Sequence, residues 1–172
     1  IQWIRILYCY PEEIYDELID TIAEEKKICH YLDIPIQHAS DHILKRMGRK
    51  TDNRQLRDII QKLRKKVPDI ILRTTLITGF PGETAEDHEI LMDFVNEMEF
   101  DRLGVFTYSM EENTAAADMP DQIEEELKVS RRNEIMELQQ DIVFDISKRH
   151  IGKTYVAMIE GKISGEHAYL AR

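Results

Sequence analysis

Polar residues that could bind a ligand directly follow several apolar runs of the sequence. The apolar runs cover residues 2–8, 31–37, 70–78 and 102–108, and helix-period segments separate them. Alternating strands and helices are typical of a parallel sheet, whose ligands bind at the carboxyl ends of the strands. Those ends carry Tyr8-Cys9-Tyr10, Gln37-His38, Thr78-Gly79 and Tyr108-Ser109. Because these groups form hydrogen bonds readily, we expect a ligand-binding rim there.

The stretch LITGFPGETAED, residues 76–87, joins the third apolar run to a helix. Gly79 and Gly82 would let the backbone approach a flat or phosphate-like group closely. The stretch lacks the Gly-Lys-Ser/Thr of a Walker A loop and the three-glycine dinucleotide fingerprint. It is either a turn with a helix cap, in which Thr84 is the N-cap and Asp87 lies near the capping-box position, or the floor of a ligand site.

One face of the third run carries an arginine. If side chains alternate along this strand, that face presents Arg73, Thr75, Ile77 and Gly79. An unpaired buried arginine is costly, so Arg73 needs an anionic partner. It either joins a buried charge network with Arg5 and Asp33 on neighbouring strands or holds a ligand carboxylate in a bidentate manner.

The cysteines and histidines give no convincing metal site. Cys9 and Cys29 form no Cys-x-x-Cys pair and no disulfide framework, which indicates a reducing, cytoplasmic compartment. His38-x-x-x-His42 has a ligand spacing but spans a strand end and a helix start. No Ser/His/Asp order of a hydrolase is persuasive. An unrelated barrel lyase would need a lysine at a strand end, and none of the four ends carries one.

The charge balance indicates which partners suit the protein. The net charge of −10 disfavours a nucleic-acid partner, because phosphate binding needs clustered lysine and arginine. It either favours a basic protein partner or only keeps the chain soluble. No run of eighteen apolar residues and no signal-peptide pattern is present, so we predict no membrane partner.

The order of the elements predicts an α/β fold. Strands spaced by about thirty residues suit a (β/α) TIM-like barrel or an open α/β sheet. Four strands cannot close a barrel, so we expect the missing ones before Ile1. A long charged helix is predicted from about Gln122 to Arg149, and residues 153–160 alternate like a strand. We therefore predict one domain at 1–150 and the start of a small β-domain at 151–172.

Cap residues predict where the shorter helices begin and end. Pro11 and Ser40 suit helix starts, and Gly48 closes the short helix that follows Ser40. Thr51 is the predicted N-cap of the next helix. The helix after Thr84 has a predicted buried stripe of Leu91, Phe94, Val95 and Met98.

Three segments resemble, in the right order, the radical S-adenosylmethionine methylthiotransferases. LDIPIQHASD (32–41) with ILKRM (43–47) resembles their fourth barrel strand and the helix after it. RTTLITGFPGET (73–84) resembles the fifth strand, and FTYSMEENT (106–114) resembles the sixth.

The carboxy-terminal part resembles the same family. MPDQI (119–123) leads into the long helix, and GKT (152–154) resembles the start of the small TRAM β-barrel. The resemblance covers nearly the whole chain. It implies the later strands of a partial radical-SAM barrel, followed by the beginning of a TRAM domain.

Three features resemble the branch of the family that modifies an aspartate of ribosomal protein S-twelve. Gln37-His38 stands where the tRNA-modifying branch has Gln-Ser-Gly, and residues 108–112 stand where that branch has Arg-Pro after the serine. Residues 103–106 also resemble the ribosomal branch, whereas Asn113 departs from an expected glycine. The alternatives are a tRNA adenosine methylthiotransferase and a non-catalytic α/β module that binds a protein.

The resemblance implies cofactors and site residues. It implies S-adenosylmethionine, two [4Fe–4S] clusters and an electron donor such as flavodoxin or ferredoxin. Ile77 and Gly79 would lie against the adenine, Gln37 would bind the ribose, and Arg73 would meet the methionyl carboxylate. The implied cofactor-binding set is Gln37, Arg73, Thr75, Ile77, Gly79, Phe106 and Tyr108, and the implied substrate-facing residues are His38, Glu111 and Glu112.

The cysteine loops that hold both clusters in this family are absent from the sequence. We therefore predict that these 172 residues alone bind no cluster and turn over no substrate. Anaerobic reconstitution with iron and sulfide, followed by iron analysis and an assay for S-adenosylmethionine cleavage, checks this. An iron-loaded, active preparation would contradict it.

Overall fold

Four parallel strands form one sheet in the order β1-β2-β3-β4. The structure is a computed structural model and describes residues 1–171. The strands are β1 (Ile4–Ile6), β2 (Ile28–Gln37), β3 (Ile71–Thr78) and β4 (Arg102–Thr107). An antiparallel hairpin of β5 (Ile159–Lys162) and β6 (Tyr169–Ala171) follows.

Within residues 1–171, five α-helices connect or follow the parallel strands. They are α1 (Asp16–Glu24), α2 (Asp41–Arg46), α3 (Asn53–Lys66), α4 (Ala85–Met98) and α5 (Glu125–Lys148). None of the helices within residues 1–171 combines the length and the apolar character needed to cross a membrane.

The two faces of the sheet differ in burial. On β3, Leu72 and Leu76 are fully buried in the apolar core, together with Phe94 of α4 and Ile135 of α5. Residues of the opposite face of β3, such as Ile77, stay partly exposed. Burying a leucine or phenylalanine side chain contributes about 1.5–3 kcal/mol, so the helix-covered face supplies the apolar stabilisation of the sheet.

The expected α/β class with a parallel sheet is confirmed, and so are most helices. Gly48 ends α2 with a φ of 70°, as the sequence predicts. The cap of α3 was assigned wrongly to Thr51. The N-cap is Asp52, because its carboxylate accepts from the Gln55 amide while the Gln55 side chain accepts from the Asp52 amide.

Two other element boundaries also differ from the prediction. Pro11 starts only a three-residue 3₁₀ turn, and α1 begins at Asp16, because the extended backbone of Tyr15 interrupts the helix. The strand predicted at 153–160 begins only at Ile159, where its pairing with Ala171 of β6 starts.

Asp87, in the first turn of α4, ties the starts of two helices together. Its carboxylate accepts hydrogen bonds from Ser40 Oγ, from the Thr84 amide at 2.9 Å and from His42 Nδ1 at 3.0 Å. Thr84 and Asp87 form the predicted capping box. Burial disfavours the charged carboxylate, but these hydrogen bonds outweigh it and lower the pKa of Asp87 to about 2.

We predict that Asp87 makes stability depend on acidic pH. Since the folded pKa is depressed, its contribution is complete above the unfolded value of 3.8 and disappears as pH falls towards about 2. Asp87→Asn should lower the free energy of unfolding by roughly 2 kcal/mol at pH 7 and flatten the pH dependence between pH 4 and 2. Urea unfolding at several pH values measures both effects.

The control is Asp93→Asn, at an exposed position of the same helix. It should leave the free energy of unfolding and its pH profile close to those of the wild type. Equal profiles for wild type and Asp87→Asn would contradict the assignment.

Candidate functional site

A cavity of about 560 Å³ lies at the carboxyl ends of β2, β3 and β4. Gln37 ends β2 on one side, Ile77 of β3 lies between the strand ends, and Phe106 of β4 and Tyr108 lie on the other side. Phe80 completes the apolar part and packs edge-on against Tyr108, with ring centroids 5.3 Å apart. The volume falls within the range of about 300–1,000 Å³ that is usual for small-molecule sites.

The backbone at Gln37 turns sharply into this cavity. Gln37 has a φ of 71°, and the His38 amide donates to the Ile36 carbonyl at 3.0 Å, which closes a γ-turn around Gln37. A non-glycine residue in this region costs about 1–3 kcal/mol and persists only where its surroundings fix it. Such strain is common at ligand sites.

A buried carboxylate holds the turn after β3. Glu83 Oε2 accepts from the Gly79 amide at 2.6 Å, and Glu83 Oε1 accepts from Arg131 Nη1 at 2.9 Å. The Glu83 side chain is 0% exposed. Burial favours the neutral acid, but His38, Arg131 and the Gly79 amide outweigh it and keep the pKa of Glu83 below its usual value. The turn from Gly79 to Glu83 is thereby fixed to α5.

Gly79 makes room for a lysine of α5. Its φ is 70°, and a Cβ there would lie 2.1 Å from Cγ of Lys128. Lys128 Nζ donates to the Tyr108 carbonyl at 3.1 Å and lies 5.4 Å from the centre of the Tyr108 ring. The missing side chain of Gly79 therefore lets α5 hold Tyr108 at the edge of the cavity.

The sequence reasoning missed the roles of Lys128 and Arg131. A signal was present, because buried positions of α5 recur at helical spacing and two of them carry cations. Cations on a buried helical stripe need acceptors. The stripe consists of Lys128, Arg131, Ile135, Gln139 and Ile142.

Two arginines of the cavity were also missed. Arg46 Nε donates to the Pro81 carbonyl at 2.9 Å, and Arg49 Nη2 donates to the Pro35 carbonyl at 2.7 Å. Among residues 1–171, Arg46 Nη2, Arg49 Nε and the Tyr108 hydroxyl are buried without a hydrogen-bond partner. Buried polar groups are normally paired, so these three suit a ligand with acceptor or anionic groups.

The cavity brings together four of the seven cofactor-binding residues expected from the sequence, namely Gln37, Ile77, Phe106 and Tyr108. Arg73 does not line it. Its guanidinium forms an ion pair with Asp33 at 2.7 Å and lines a separate cavity of about 670 Å³, whereas Arg5 lies over the Tyr31 ring instead of joining this pair.

Thr75 is buried in β3, where Arg73 Nη1 lies 3.4 Å from its hydroxyl, and it does not line the cavity. Gly79 contacts Lys128 instead of facing the cavity. Part of the expected set therefore lines the cavity. Gly79 contacts α5 beside the cavity, and Arg73 and Thr75 lie outside it.

The three expected substrate-facing residues have different environments. His38 is completely buried and not exposed at the rim, because its Nδ1 accepts from the Ser40 amide at 2.9 Å within the chain turn after β2. Glu111 and Glu112 are exposed in the loop after β4. Asn113, where a glycine was expected, has a φ of 63°, a conformation that asparagine adopts more readily than most residues.

The described residues do not fit an iron–sulfur cluster. Within residues 1–171, no three histidine, cysteine or carboxylate side chains are arranged to hold a metal ion. Cys9 and Cys29 are free and partly buried. Burial, with a contribution from Glu13, raises the pKa of the Cys9 thiol and so disfavours the thiolate that a metal requires.

Comparison with known proteins identifies related sequences. The family model of the Radical SAM superfamily matches residues 1–95. A protein named ribosomal protein uS12 methylthiotransferase RimO, from Lachnoclostridium phytofermentans, is 62% identical over 172 residues, which are 100% of this chain and 39% of that protein. The protein of the same name from Clostridium perfringens is 54% identical over 172 residues and 38% of its length. The chain thus spans about two fifths of these relatives.

One solved structure is similar in part. Streptococcus suis SuiB, bound to the precursor peptide SuiA, matches 79% of this chain and 27% of its own chain, with a TM-score of 0.44 and 14% identity. A likeness this weak carries no argument about the fold or the site.

We predict that Gly79→Ala destabilises the protein more than Gly48→Ala. Both glycines have a φ of 70°, but a Cβ at Gly48 meets nothing within 4 Å, whereas one at Gly79 meets Lys128. Gly48→Ala should therefore cost only the left-handed backbone penalty of about 1–2 kcal/mol. Gly79→Ala should cost about 1–3 kcal/mol more, the usual cost of overpacking, as measured by urea unfolding.

Repeating Gly79→Ala in a Lys128→Ala background tests the cause. There most of the extra cost should disappear, because Cγ and Cδ of Lys128 are gone and only its Cβ, 2.9 Å from the new methyl group, remains. Equal costs for the two glycines in the wild-type background would contradict the close contact with Lys128.

Proposed function

The chain belongs to the radical SAM superfamily, and on that premise we propose that it forms the S-adenosylmethionine-binding part of a methylthiotransferase acting on ribosomal protein uS12. The modified group would be an aspartate side-chain carbon. The 62% identity over the whole chain to a relative with this name is the observation that supports the proposal most strongly. The cavity at the strand ends supplies a matching ligand site.

The lining of the cavity suits the parts of S-adenosylmethionine. Ile77 and Phe106 offer apolar surfaces for the adenine, and Tyr108 with Phe80 closes the far side. The Gln37 side chain can hydrogen-bond the ribose hydroxyls. Arg49, whose Nε has no partner among the described residues, is better placed than Arg73 for the methionyl carboxylate, because Arg73 is paired with Asp33.

Bound S-adenosylmethionine would supply the means to remove hydrogen from an unactivated carbon. The residues of this chain would bind and orient it. Phe106 would shield the adenine from water on the open side, and the Glu83-held turn would keep Ile77 in place. Residues 1–171 offer no ligand set for a [4Fe–4S] cluster.

The wider architecture and partners belong to the same proposal. The parallel sheet with helices on one face supports a partial (β/α) barrel at 1–150, and the β5–β6 hairpin supports the start of a TRAM domain at 151–172. The net charge of −10 suits a basic ribosomal protein as substrate. A flavodoxin or ferredoxin would be the electron donor, in the cytoplasm.

A chimaera tests the activity. The matching span of the Lachnoclostridium phytofermentans relative is replaced by this chain, and the product is reconstituted anaerobically with iron, sulfide, reductant and S-adenosylmethionine. A peptide of the uS12 loop should gain one methylthio group on its aspartate, as read by mass spectrometry. Cleavage of S-adenosylmethionine without peptide modification would contradict the uS12 assignment and favour a tRNA substrate.

We predict that Arg49→Met weakens the binding of S-adenosylmethionine to the chain by roughly 10- to 100-fold, the loss expected for one charge-assisted contact. Isothermal titration calorimetry measures the Kd. The control is the double variant Arg73→Met with Asp33→Asn, which removes both charges of the Arg73–Asp33 ion pair together. It should leave the Kd within about threefold of wild type. If the Arg73 variant weakened binding more than Arg49→Met, Arg73 would be the residue that binds the methionyl carboxylate.

A further inference from the structure

We propose that His38 is a positioning residue for the cavity at the strand ends. It would fix the strained turn at Gln37 to the Glu83-held turn after β3, and so set the spacing between Gln37 and Ile77 on either side of the ligand. The inference rests on the proposed function, because the ligand is taken to be S-adenosylmethionine.

The hydrogen bonds of His38 fix its tautomer. The imidazole is 0% exposed, and its Nδ1 accepts from the Ser40 amide at 2.9 Å. An accepting Nδ1 carries no proton, so the neutral ring carries its proton on Nε2. That N–H donor is buried without a hydrogen-bond partner among residues 1–171. The ring is therefore held on one side and has an unused donor on the other.

The unused donor faces the carboxylate that holds the next turn. His38 Nε2 lies 3.7 Å from Glu83 Oε2, the same oxygen that accepts from the Gly79 amide at 2.6 Å. At 3.7 Å the contact is electrostatic and longer than a hydrogen bond. Arg131 occupies the other carboxylate oxygen. His38 thus connects the end of β2 with a carboxylate otherwise bonded to β3 and α5.

The main chain of His38 belongs to the strained turn itself. Its amide closes the γ-turn on the Ile36 carbonyl at 3.0 Å, and Gln37 between them has a φ of 71°. A left-handed glutamine relaxes unless its neighbours prevent it. Because Nδ1 of His38 is hydrogen-bonded to the Ser40 amide and Nε2 faces the Glu83 carboxylate at 3.7 Å, rotation of His38 is restricted, and the Gln37 side chain stays directed at the cavity edge.

A second buried histidine provides a matched control. His88 of α4 is 7% exposed, and its Nε2 lies 3.0 Å from Glu134 Oε2 of α5. It therefore also pairs with a glutamate. Neither His88 nor Glu134 lines the cavity. A variant at His88 reports what the loss of any buried histidine–glutamate contact does to the fold.

Two conservative variants separate the roles of the two ring nitrogens. Asparagine at position 38 can still accept from the Ser40 amide but cannot reach Glu83. Glutamine can extend an amide N–H to the place of Nε2 and donate to Glu83. We expect His38→Asn to raise the Kd for S-adenosylmethionine roughly tenfold, the effect of one lost polar contact, and His38→Gln to stay within about threefold of wild type.

The experiment combines calorimetric titration of S-adenosylmethionine with NMR hydrogen exchange of the Gly79 amide in the 172-residue protein. Exchange should be faster in His38→Asn than in His38→Gln. His88→Gln should lower Tm without changing either readout. An unchanged Kd and unchanged Gly79 exchange in His38→Asn, or losses in proportion to Tm for all three variants, would overturn the positioning role.

The two proposals can fail separately. If the wild-type protein does not bind S-adenosylmethionine, the proposed function is contradicted. The Gly79 exchange rates, which need no ligand, then still decide whether His38 positions the turn.

Discussion

The carboxylate of Glu83 is the interaction on which the site depends. A buried charge is tolerated only when it is paired and hydrogen-bonded. Here the partners come from three separate elements: the Gly79 amide after β3, Arg131 of α5, and His38 after β2. The requirement to satisfy one carboxylate therefore fixes two strand ends and a helix relative to one another.

Helix α5 does more than cover the sheet. Its buried stripe begins with Arg131, which binds Glu83, and Lys128, which binds the Tyr108 carbonyl. Further along, Ile135 and Ile142 pack in the apolar core. The same helix thus stabilises the sheet and shapes the cavity at the strand ends. Substitutions in the amino-terminal half of α5 should weaken ligand binding more than they lower stability, because Lys128 and Arg131 contact the loops and not the apolar core.

Much of the fold could be predicted from the sequence, because strand and helix periodicities are local properties. The rule that ligands meet the carboxyl ends of parallel strands predicted a rim with Gln37 and Tyr108, and the family resemblance added Ile77 and Phe106; these four residues line one cavity. Contacts between distant residues could not be predicted in this way. Arg131 meets Glu83 across 48 positions, and the space above Gly79 is filled by Lys128, about fifty positions along the chain. His38 was expected at the rim but is buried. The sequence of a strand end does not show which neighbours will cover a polar residue there.

The most direct test is an NMR titration of the ¹⁵N-labelled 172-residue protein with S-adenosylmethionine. If the cavity at the strand ends is the binding site, shift changes will centre on the amides of Gln37, Ile77, Phe106 and Tyr108, and Gly79 will follow through Glu83. The amides around Arg73 and Gly104, which line the other cavity of the sheet, will stay in place. Shifts centred on Arg73 and Gly104, or no shifts at saturating ligand, would contradict the site.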